Sequence, residues 1–272
     1  MTSKLGNDVL WFAIGILFLM PLQGFCGQII TVPSQGIATI QAAMISARIG
    51  DTVLVEPGKY HEKVSIKNGV TLKSKSLFGA SMDGGGKGTV ISLFGNASIC
   101  GFEIKNGTIG ILSTGMGNSI TKCRIINNRQ SGLSCTGQMP KVQDNIFAYN
   151  TGSGIVGWDV SAGSEPLSFN TIAYNENNGM MFGGASKVII ENNIVVFNAR
   201  LGLKFDDGGF VVAQNNVFFQ NGSMPISFGD KNISADPKFT EPKGKLDFSL
   251  MPDSPLHSLP QGIGDVGARL NY

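Results

Sequence analysis

Histidine is almost absent from this 272-residue chain, which contains only His61 and His257. No CxxC pair and no paired-histidine spacing is present, and clusters of methionine, histidine and cysteine are lacking. Structural zinc sites and copper-handling sites need such side chains close together. The sequence therefore does not favour a protein that is built around a transition metal.

Cysteine is scarce as well, and only three cysteines lie beyond residue 26: Cys100, Cys123 and Cys135. An odd number argues against a disulfide framework. Cys135 falls at a position that we expect to point inward, where it serves as a small core residue. Cys100 and Cys123 lie one repeat apart in the sequence, and a bridge between these two stays open.

The chain has no marked excess of either charge. Lysine and arginine together number 21, against 19 for aspartate and glutamate. Setting aside the segment 1–26 removes one of each, Lys4 and Asp8, and leaves the balance unchanged. No stripe of basic residues appears along the sequence. Binding to nucleic acid is therefore not expected.

Long amphipathic runs with a 3.6-residue period are missing, which excludes helical repeats, and no leucine ladder is present. What the chain does have is a regular recurrence of asparagine, at steps of about 22–25 residues. A glycine follows four positions after each of the first five, and Pro225 takes that place after the sixth. The six asparagines are Asn106, Asn128, Asn150, Asn175, Asn198 and Asn221. This regularity is typical of a solenoid.

Short apolar runs between these asparagines indicate strands and tight turns, so the sequence predicts an all-β fold, a parallel β-helix with coils of about 22–25 residues. Equivalent side chains on successive coils then stack about 4.8 Å apart. Asparagine suits the corners, because it tolerates the left-handed region and its amide can bond the next asparagine. A second column five positions earlier supports the prediction: Asn145, Asn170, Asn193 and Asn216.

Strand alternation predicts which side chains point inward. One column is aliphatic, and another ends in Phe182, Phe205 and Phe228, which we interpret as an interior aromatic ladder. A further column of Tyr149, Tyr174 and Phe197 allows two interpretations. It is either buried core, which residue burial trends favour, or an exposed strip for saccharides.

Both ends of the chain differ from the repeats. Residues 1–26 have the positive start, the apolar stretch and the small residues of a cleaved secretory signal; lipid anchoring at Cys26 and a retained anchor are the alternatives. Residues 27–232 are expected to form the β-helix. The only convincing helix, Ile40–Arg48 after an N-cap at Thr39, would cap its first coil. Residues 233–272 form a tail expected to pack on the coils. There it would cover outward apolar positions such as Ile146, Ile194 and Val217.

A family resemblance lies in several stretches of the chain. The run Thr39–Ala43, the segment Gly50–Val53 and Pro57–Tyr60 resemble the start of right-handed parallel β-helix proteins of the pectin-lyase-like superfamily. The ending, with Ala235–Phe239 and Leu250–Pro255, resembles secreted members of the same group. The resemblance implies this fold for nearly all of the chain after residue 26. It is specific for the fold and weak for activity.

Most catalytic motifs of the related enzymes are missing. The carboxylate motifs of pectin methylesterases are absent, although Gly58–Tyr60 with Glu62 resembles their early Gly-x-Tyr-x-Glu. Polygalacturonases would need a His-Gly beside an Asp-Asp, and alginate epimerases a Tyr-Gly-Phe-Asp-Pro-His type motif; neither is found. These absences argue against each of the three assignments.

A uronate lyase remains a hypothesis, since it needs only a base and a cation that neutralises the carboxylate beside the proton to be removed. The candidate bases are Lys204 and Arg200. Ca²⁺ would be held by Asp206, Asp207 and Asp230, because oxygen-rich edges bind this ion.

A binding surface is the expectation that we place first. Trp158 offers an apolar face for a sugar ring, and Asp159, Asp207 and Asp230 share one register position, next to the column that holds Trp158 and Asp206. The plain alternative is that acidic residues and glycines are simply good turn formers.

The sequence thus predicts a secreted or periplasmic protein that binds a polysaccharide or cell-surface glycan along its side. No stable membrane insertion is expected after signal cleavage. Two rivals stay open, the Ca²⁺-dependent lyase and a non-catalytic assembly protein. The latter would resemble the periplasmic β-helix proteins that help mature the copper sites of nitrous-oxide reductase.

Overall fold

The computed structural model describes residues 27–206, 208–223, 231–259 and 266–270. These residues wind into a parallel β-solenoid, so the predicted fold is confirmed. Each full coil passes through three sheets in a fixed order, which we call sheet 1, sheet 2 and sheet 3. In the later coils, turns that contain an asparagine join sheet 1 to sheet 2 and sheet 2 to sheet 3, and a loop of variable length returns to sheet 1.

Nearly all strands belong to the three sheets, and neighbours within each sheet are parallel. Sheet 1 contains Ile29–Val32, Thr52–Val55, Thr71–Ser74, Ser98–Cys100, Ser119–Thr121, Lys141–Gln143, Leu167–Ser168, Lys187–Glu191 and Phe210–Gln214. Sheet 2 contains Gly58–Tyr60, Ala80–Asp83, Glu103–Lys105, Arg124–Ile126, Ile146–Ala148, Thr171–Ala173, Ile194–Val196 and Val217–Phe219. Sheet 3 contains Val64–Ile66, Thr89–Phe94, Ile109–Thr114, Ser131–Gln138, Ser153–Ser161, Met180–Gly183 and Leu203–Phe205.

The core is a set of stacked inward columns, because alternate residues of a strand face the same side. In sheet 3 the aliphatic column runs in register through Ile111, Leu133, Ile155, Met180 and Leu203. The next inward column brings Phe182 beside Phe205 as predicted, with Phe182 fully buried and Phe205 partly buried. The third member of that predicted ladder, Phe228, lies outside the described residues.

Two asparagine ladders run along the edges of sheet 2. In each, the Nδ2 of one asparagine donates to the Oδ1 of the next coil's asparagine at 2.9–3.1 Å. The ladder between sheets 1 and 2 contains the four predicted asparagines and continues to Asn232. The ladder between sheets 2 and 3 runs from Asn128 to Asn221. Since these amides are almost all buried, each ladder replaces water with protein partners.

Two details of the predicted ladder were wrong. Asn106 is not a member, because the strand registers place it beside Asn127, and Gly107 donates its N–H to the Oδ1 of Asn128 instead. The left-handed conformation also falls one residue earlier than expected, for example at Tyr149 (φ 56°) before Asn150. The residue before the asparagine makes the bend, which leaves the amide pointing inward to bond along the ladder.

The short helix Ile40–Ser46 closes the first coil, ending two residues earlier than predicted. The hydroxyl of Thr39 accepts the N–H of Ala42, which confirms the N-cap. The carboxylate of Glu62, from the coil above, accepts the N–H groups of Ile40 and Gln41. Ile40, Ala43 and Met44 are fully buried, so the helix covers the end of the core.

The tail lies on the outer face of sheet 2. It forms an antiparallel pair, Phe239–Glu241 with Asp247–Leu250, followed by a 3-10 helix, Pro255–Ser258. Phe239, Phe248 and Leu256 pack on outward apolar residues of the sheet. Those residues are Ile126, Ile146, Ala148, Ala173, Ile194, Val196 and Val217.

The aromatic column is also under the tail. The rings of Tyr149 and Tyr174 stack at 5.3 Å and those of Tyr174 and Phe197 at 4.9 Å, with Phe248 tilted against both tyrosines. Burial raises the pKa of the Tyr149 and Tyr174 hydroxyls. The buried interpretation was therefore right, although the column stands outside the coil and is covered by the tail.

The three cysteines beyond the signal-like segment, Cys100, Cys123 and Cys135, are free thiols, so the bridge left open by the sequence does not form. Cys123 and Cys135 are buried, and desolvation raises the pKa of each thiol to about 12. Both behave as small core residues, as the inward position of Cys135 predicts.

The ends of the chain bear on the remaining predictions. The proposed signal sequence, residues 1–26, lies outside the described residues. Within the described parts of the chain, no helix combines the length and the apolar character that a bilayer crossing needs.

Candidate functional site

The outer face of sheet 3 presents Trp158. The side chain is 48% exposed, because it lies on an outward position of the strand Ser153–Ser161. In the next coil its register partner is Gly183. A Cβ at Gly183 would collide with the six-membered ring of Trp158, so the indole extends over bare backbone. The absence of a side chain at position 183 thus allows the ring to lie along the sheet.

Asp206 follows in the same column, as the sequence predicts. Phe182 and Phe205 are paired, and the N–H of Asp206 donates to the carbonyl of Phe182 at 3.0 Å. Two coil steps therefore separate Trp158 and Asp206, which corresponds to about 10 Å along the axis.

The amine of Lys204 forms an ion pair with Asp206, at 3.1 Å from Nζ to Oδ1. Both side chains are more than one-third exposed, so the pair contributes little to stability. The pair places the Lys204 side chain where it can contact an anionic group of a ligand.

Arg200 lies near Lys204 and lines the same open groove, whose volume is about 480 Å³. Met181 and Asn177 contribute apolar and amide surface to it. The two candidate cationic residues are thus brought together. The groove begins at the turn between sheets 2 and 3 and reaches the outward column of sheet 3 that contains Met181 and Lys204.

Asp159 has a role within the fold. Its Oδ1 accepts the N–H of Ala185 at 2.8 Å, and its carboxylate occupies the space above Gly184. This is turn chemistry that links successive coils. Asp159 is therefore less available to a ligand than the sequence suggests, because its carboxylate already has a backbone partner.

The other two acidic candidates, Asp207 and Asp230, lie outside the described residues. Among the residues that the structure does describe, no three histidine, cysteine or acidic side chains gather in a way that would hold a metal ion. Asp206, the remaining proposed Ca²⁺ ligand, is engaged with Lys204.

One aromatic residue on this face was missed from the sequence. Phe94 is 50% exposed and ends a strand of sheet 3, where it pairs with Thr114. Thr136 continues the column and pairs with Trp158. Phe94 escaped notice because residues 69–100 repeat less regularly than the later coils. The column therefore carries two aromatic rings with two threonines between them.

Comparisons with known proteins agree with this architecture. The family model described as "Right handed beta helix region" matches residues 59–237. A search of curated proteins gives no match. Among solved structures, pectate lyase Pel9A aligns with a TM-score of 0.58 and 16% identity, over 89% of this chain and 96% of that one.

Two further solved structures align with this chain at lower TM-scores. PL6 family alginate lyase AlyGC aligns at a TM-score of 0.41 and 14% identity, over 85% of this chain and 41% of its own. An alginate lyase from Paenibacillus sp. str. FPU-7 aligns at 0.42 and 14%, over 76% of each chain. At such identities the likeness concerns the fold.

Proposed function

Since this chain belongs to the right-handed β-helix family, we propose that it binds a polysaccharide along the outer face of sheet 3. The observation that carries the proposal is the exposed indole of Trp158, which lies over the bare backbone of Gly183. An exposed aromatic ring on a rigid sheet provides a flat apolar surface at a small entropic cost, and a sugar ring can stack on it.

Polar groups on the same face suit a saccharide. Thr114 and Thr136 supply hydroxyl groups between the two aromatic rings, and the ion pair of Lys204 with Asp206 supplies charged donors and acceptors two coils beyond Trp158. Regular stacking of coils repeats these groups along the axis at about 4.8 Å per step. A linear polymer lying along the axis would meet several of them in succession.

The setting that we propose is outside the cytoplasm. The signal-like residues 1–26 support secretion or export to the periplasm. A glycan of a cell surface or a matrix is the partner that such a protein would meet there.

Binding can be tested with immobilised polysaccharides, both neutral and anionic. The change is Trp158→Ala, which we expect to lower affinity roughly tenfold or more, as for an aromatic residue at the centre of an interface. The matched control is Phe210→Ala, which removes an exposed aromatic ring from sheet 1. If both variants bind as the original chain does, the proposed surface is wrong.

Uronate lyase activity is the second candidate, favoured by the shared groove of Arg200 and Lys204. A lyase would release unsaturated ends that absorb ultraviolet light, in the presence of Ca²⁺ and not after chelation. Lys204→Ala should then abolish turnover while the melting temperature stays within error. Absence of turnover on pectate, alginate and glycosaminoglycans would leave glycan binding or a non-catalytic assembly role, which capture of a protein partner would separate.

A further inference from the structure

A group of cations lies at the other end of the solenoid, at the corner between sheets 2 and 3. Lys63, Lys87 and Arg129 are all exposed, and we call them the basic corner. Lys63 precedes the first strand of sheet 3, Lys87 the second and Arg129 the fourth. They are far apart in sequence, and the coiling alone brings them to one edge.

Glycines shape this corner. The loop Gly84–Gly88 joins the sheet 2 strand Ala80–Asp83 to the sheet 3 strand Thr89–Phe94. A Cβ on Gly86 would lie 3.0 Å from Nη2 of Arg129, and a Cβ on Gly88 would lie 3.0 Å from Nζ of Lys63. Two positive groups, Lys63 from the coil below and Arg129 from the coils above, thus converge on a loop in which only Lys87 has a side chain. Bare glycine backbone also permits a ligand to approach closely.

The nearby acids that the structure describes, Glu62 and Asp83, form no ion pair with these cations. Glu62 accepts two N–H groups of the capping helix. Asp83 accepts the N–H of Gly85 at 2.9 Å and the Nδ2 of Asn106 at 2.8 Å. None of the ion pairs in the described part of the chain includes Lys63, Lys87 or Arg129. The corner therefore combines three cations without an ion pair among the described residues and two carboxylates held by other donors, a local excess of positive charge in a chain that is nearly neutral.

We infer that the basic corner binds the acidic groups of an anionic polysaccharide, either carboxylates or sulfates. The backbone positions of the cations span three coil steps, about 14 Å, but the charged ends of Lys63 and Arg129 converge beside Gly88 and Gly86. The corner therefore suits one or two neighbouring anionic groups of a polymer. An arginine beside a glycine loop can bind a planar or tetrahedral anion with two N–H groups. This inference rests on the proposed function for its saccharide and adds that the saccharide is acidic.

The test compares two triple variants of the full chain. The first variant removes the three positive charges of the basic corner by Lys63→Gln, Lys87→Gln and Arg129→Gln. In the matched control, Lys73→Gln, Lys187→Gln and Lys243→Gln remove three exposed cations that lie elsewhere and form no ion pair with described residues. Affinities are measured at low salt for polygalacturonate, heparin, neutral dextran and single-stranded DNA.

We expect the corner variant to bind polygalacturonate or heparin at least roughly tenfold more weakly, with a smaller dependence on salt, and the control variant to change less than about threefold. Preference for polygalacturonate identifies carboxylates, and preference for heparin identifies sulfates. The inference is overturned if both triple variants lose affinity equally, if neither acidic glycan binds, or if DNA binds as tightly as the glycans.

The two proposals fail separately. If Trp158→Ala abolishes glycan binding and the corner variant retains it, the basic corner is wrong and the surface on sheet 3 stands. If the corner variant alone loses binding, the corner stands and Trp158 is not the platform. If only dextran binds, and Trp158→Ala weakens it, the saccharide is neutral and only the inference about charge fails.

Discussion

Sheets 2 and 3 are built from the same coils, yet their outer faces differ. One packs against the tail, and the other presents exposed side chains. On sheet 2 the outward residues of the later coils are apolar and lie under the tail, with Phe248 and Phe239 at the contact. On sheet 3 the corresponding face presents the exposed side chains of Trp158 and Phe94 and the Lys204–Asp206 pair. Inward residues are alike in both sheets. The fold is therefore specified by the inward columns, and the outward columns decide which face remains available to a ligand.

The two sheets also differ in how many of their edges carry an asparagine ladder. Sheet 2 has an asparagine ladder on each side, whereas the described strands of sheet 3 have one only where they begin. These strands end in loops of unequal length, and Trp158 and Asp206 lie at that end. The candidate ligand-binding side chains are thus placed at the edge of sheet 3 that has no asparagine ladder among the described residues.

The largest expected loss of stability comes from a substitution that breaks one of the asparagine ladders beside sheet 2. The buried side chain of Asn170 accepts from Asn145 and donates to Asn193, Val142 and Ser168. Asn170→Ala leaves several buried groups without partners, which should lower the free energy of unfolding by roughly 3–5 kcal/mol.

Chemical denaturation measures this loss, with Asn68→Ala at an exposed position as the control. The control should change stability by no more than about 0.5 kcal/mol. Equal effects of the two substitutions would mean that the ladder adds nothing beyond an ordinary surface amide.

Uncovering sheet 2 should have the next largest effect. Phe248 is buried against Tyr149, Tyr174 and Phe239. Phe248→Ala should cost about 3 kcal/mol, from lost burial and the cavity that remains. Thermal unfolding checks the loss, and glycan affinity well below the unfolding temperature should be unchanged. A fall in affinity at constant stability would show that the tail, not sheet 3, contacts the ligand.

Much of this fold could be predicted because its signals are periodic. The inward columns, both asparagine columns and the N-cap at Thr39 all follow from spacing. The alternation of inward and outward side chains along each strand also identified three outward apolar residues that the tail covers, Ile146, Ile194 and Val217. The register of Asn106 could not be predicted, because the coil before Asn128 is one residue shorter than the asparagine spacing suggests.

A smaller effect should come from crowding the ring on sheet 3. Gly183→Ala places a methyl group where the indole of Trp158 lies and forces the ring off the sheet. We expect glycan affinity to fall roughly tenfold, with a stability loss of only about 1 kcal/mol. In a chain that already carries Trp158→Ala, the same change should have no further effect on binding. An additive loss would mean that Gly183 acts independently of the ring.

The smallest expected effect is on the pH dependence of stability, and it comes from Glu103 in an early strand of sheet 2. Glu103 is buried, and burial alone would raise its pKa, but hydrogen bonds from Lys105 and Arg124 hold the pKa below its ordinary value. A carboxyl whose pKa is lowered on folding contributes stability above its unfolded pKa and loses it as the pH falls through the folded pKa. Glu103→Gln should therefore lower stability at neutral pH and flatten the decline below about pH 4.5.

Denaturant titrations at several pH values measure that slope. Glu176→Gln changes a carboxyl that forms no ion pair within the described residues, and should leave the slope unaltered. Parallel curves for the original chain and Glu103→Gln would contradict the prediction.

The candidate site was less accessible from the sequence than the fold. Register counting placed Asp206 in the column of Trp158, and the pairing agrees. It could not show that Asp159 is occupied by the N–H of Ala185, because that contact depends on the path of a loop. The basic corner could not be predicted from the sequence for a related reason. Lys63, Lys87 and Arg129 become neighbours only when side chains of unequal length reach across coils.

The ladders also determine where this chain can become longer. An inserted residue in either asparagine turn would move an amide out of line with the coils above and below. The step from Asn145 to Asn170 is longer than the step from Asn170 to Asn193, and its longest strand, Ser153–Ser161, runs on into the loop that returns to sheet 1. In the coils that carry both ladders, new length is therefore expected at only one of three corners. Insertions at that corner would reshape the end of sheet 3 beside Trp158 while the two asparagine turns keep their length.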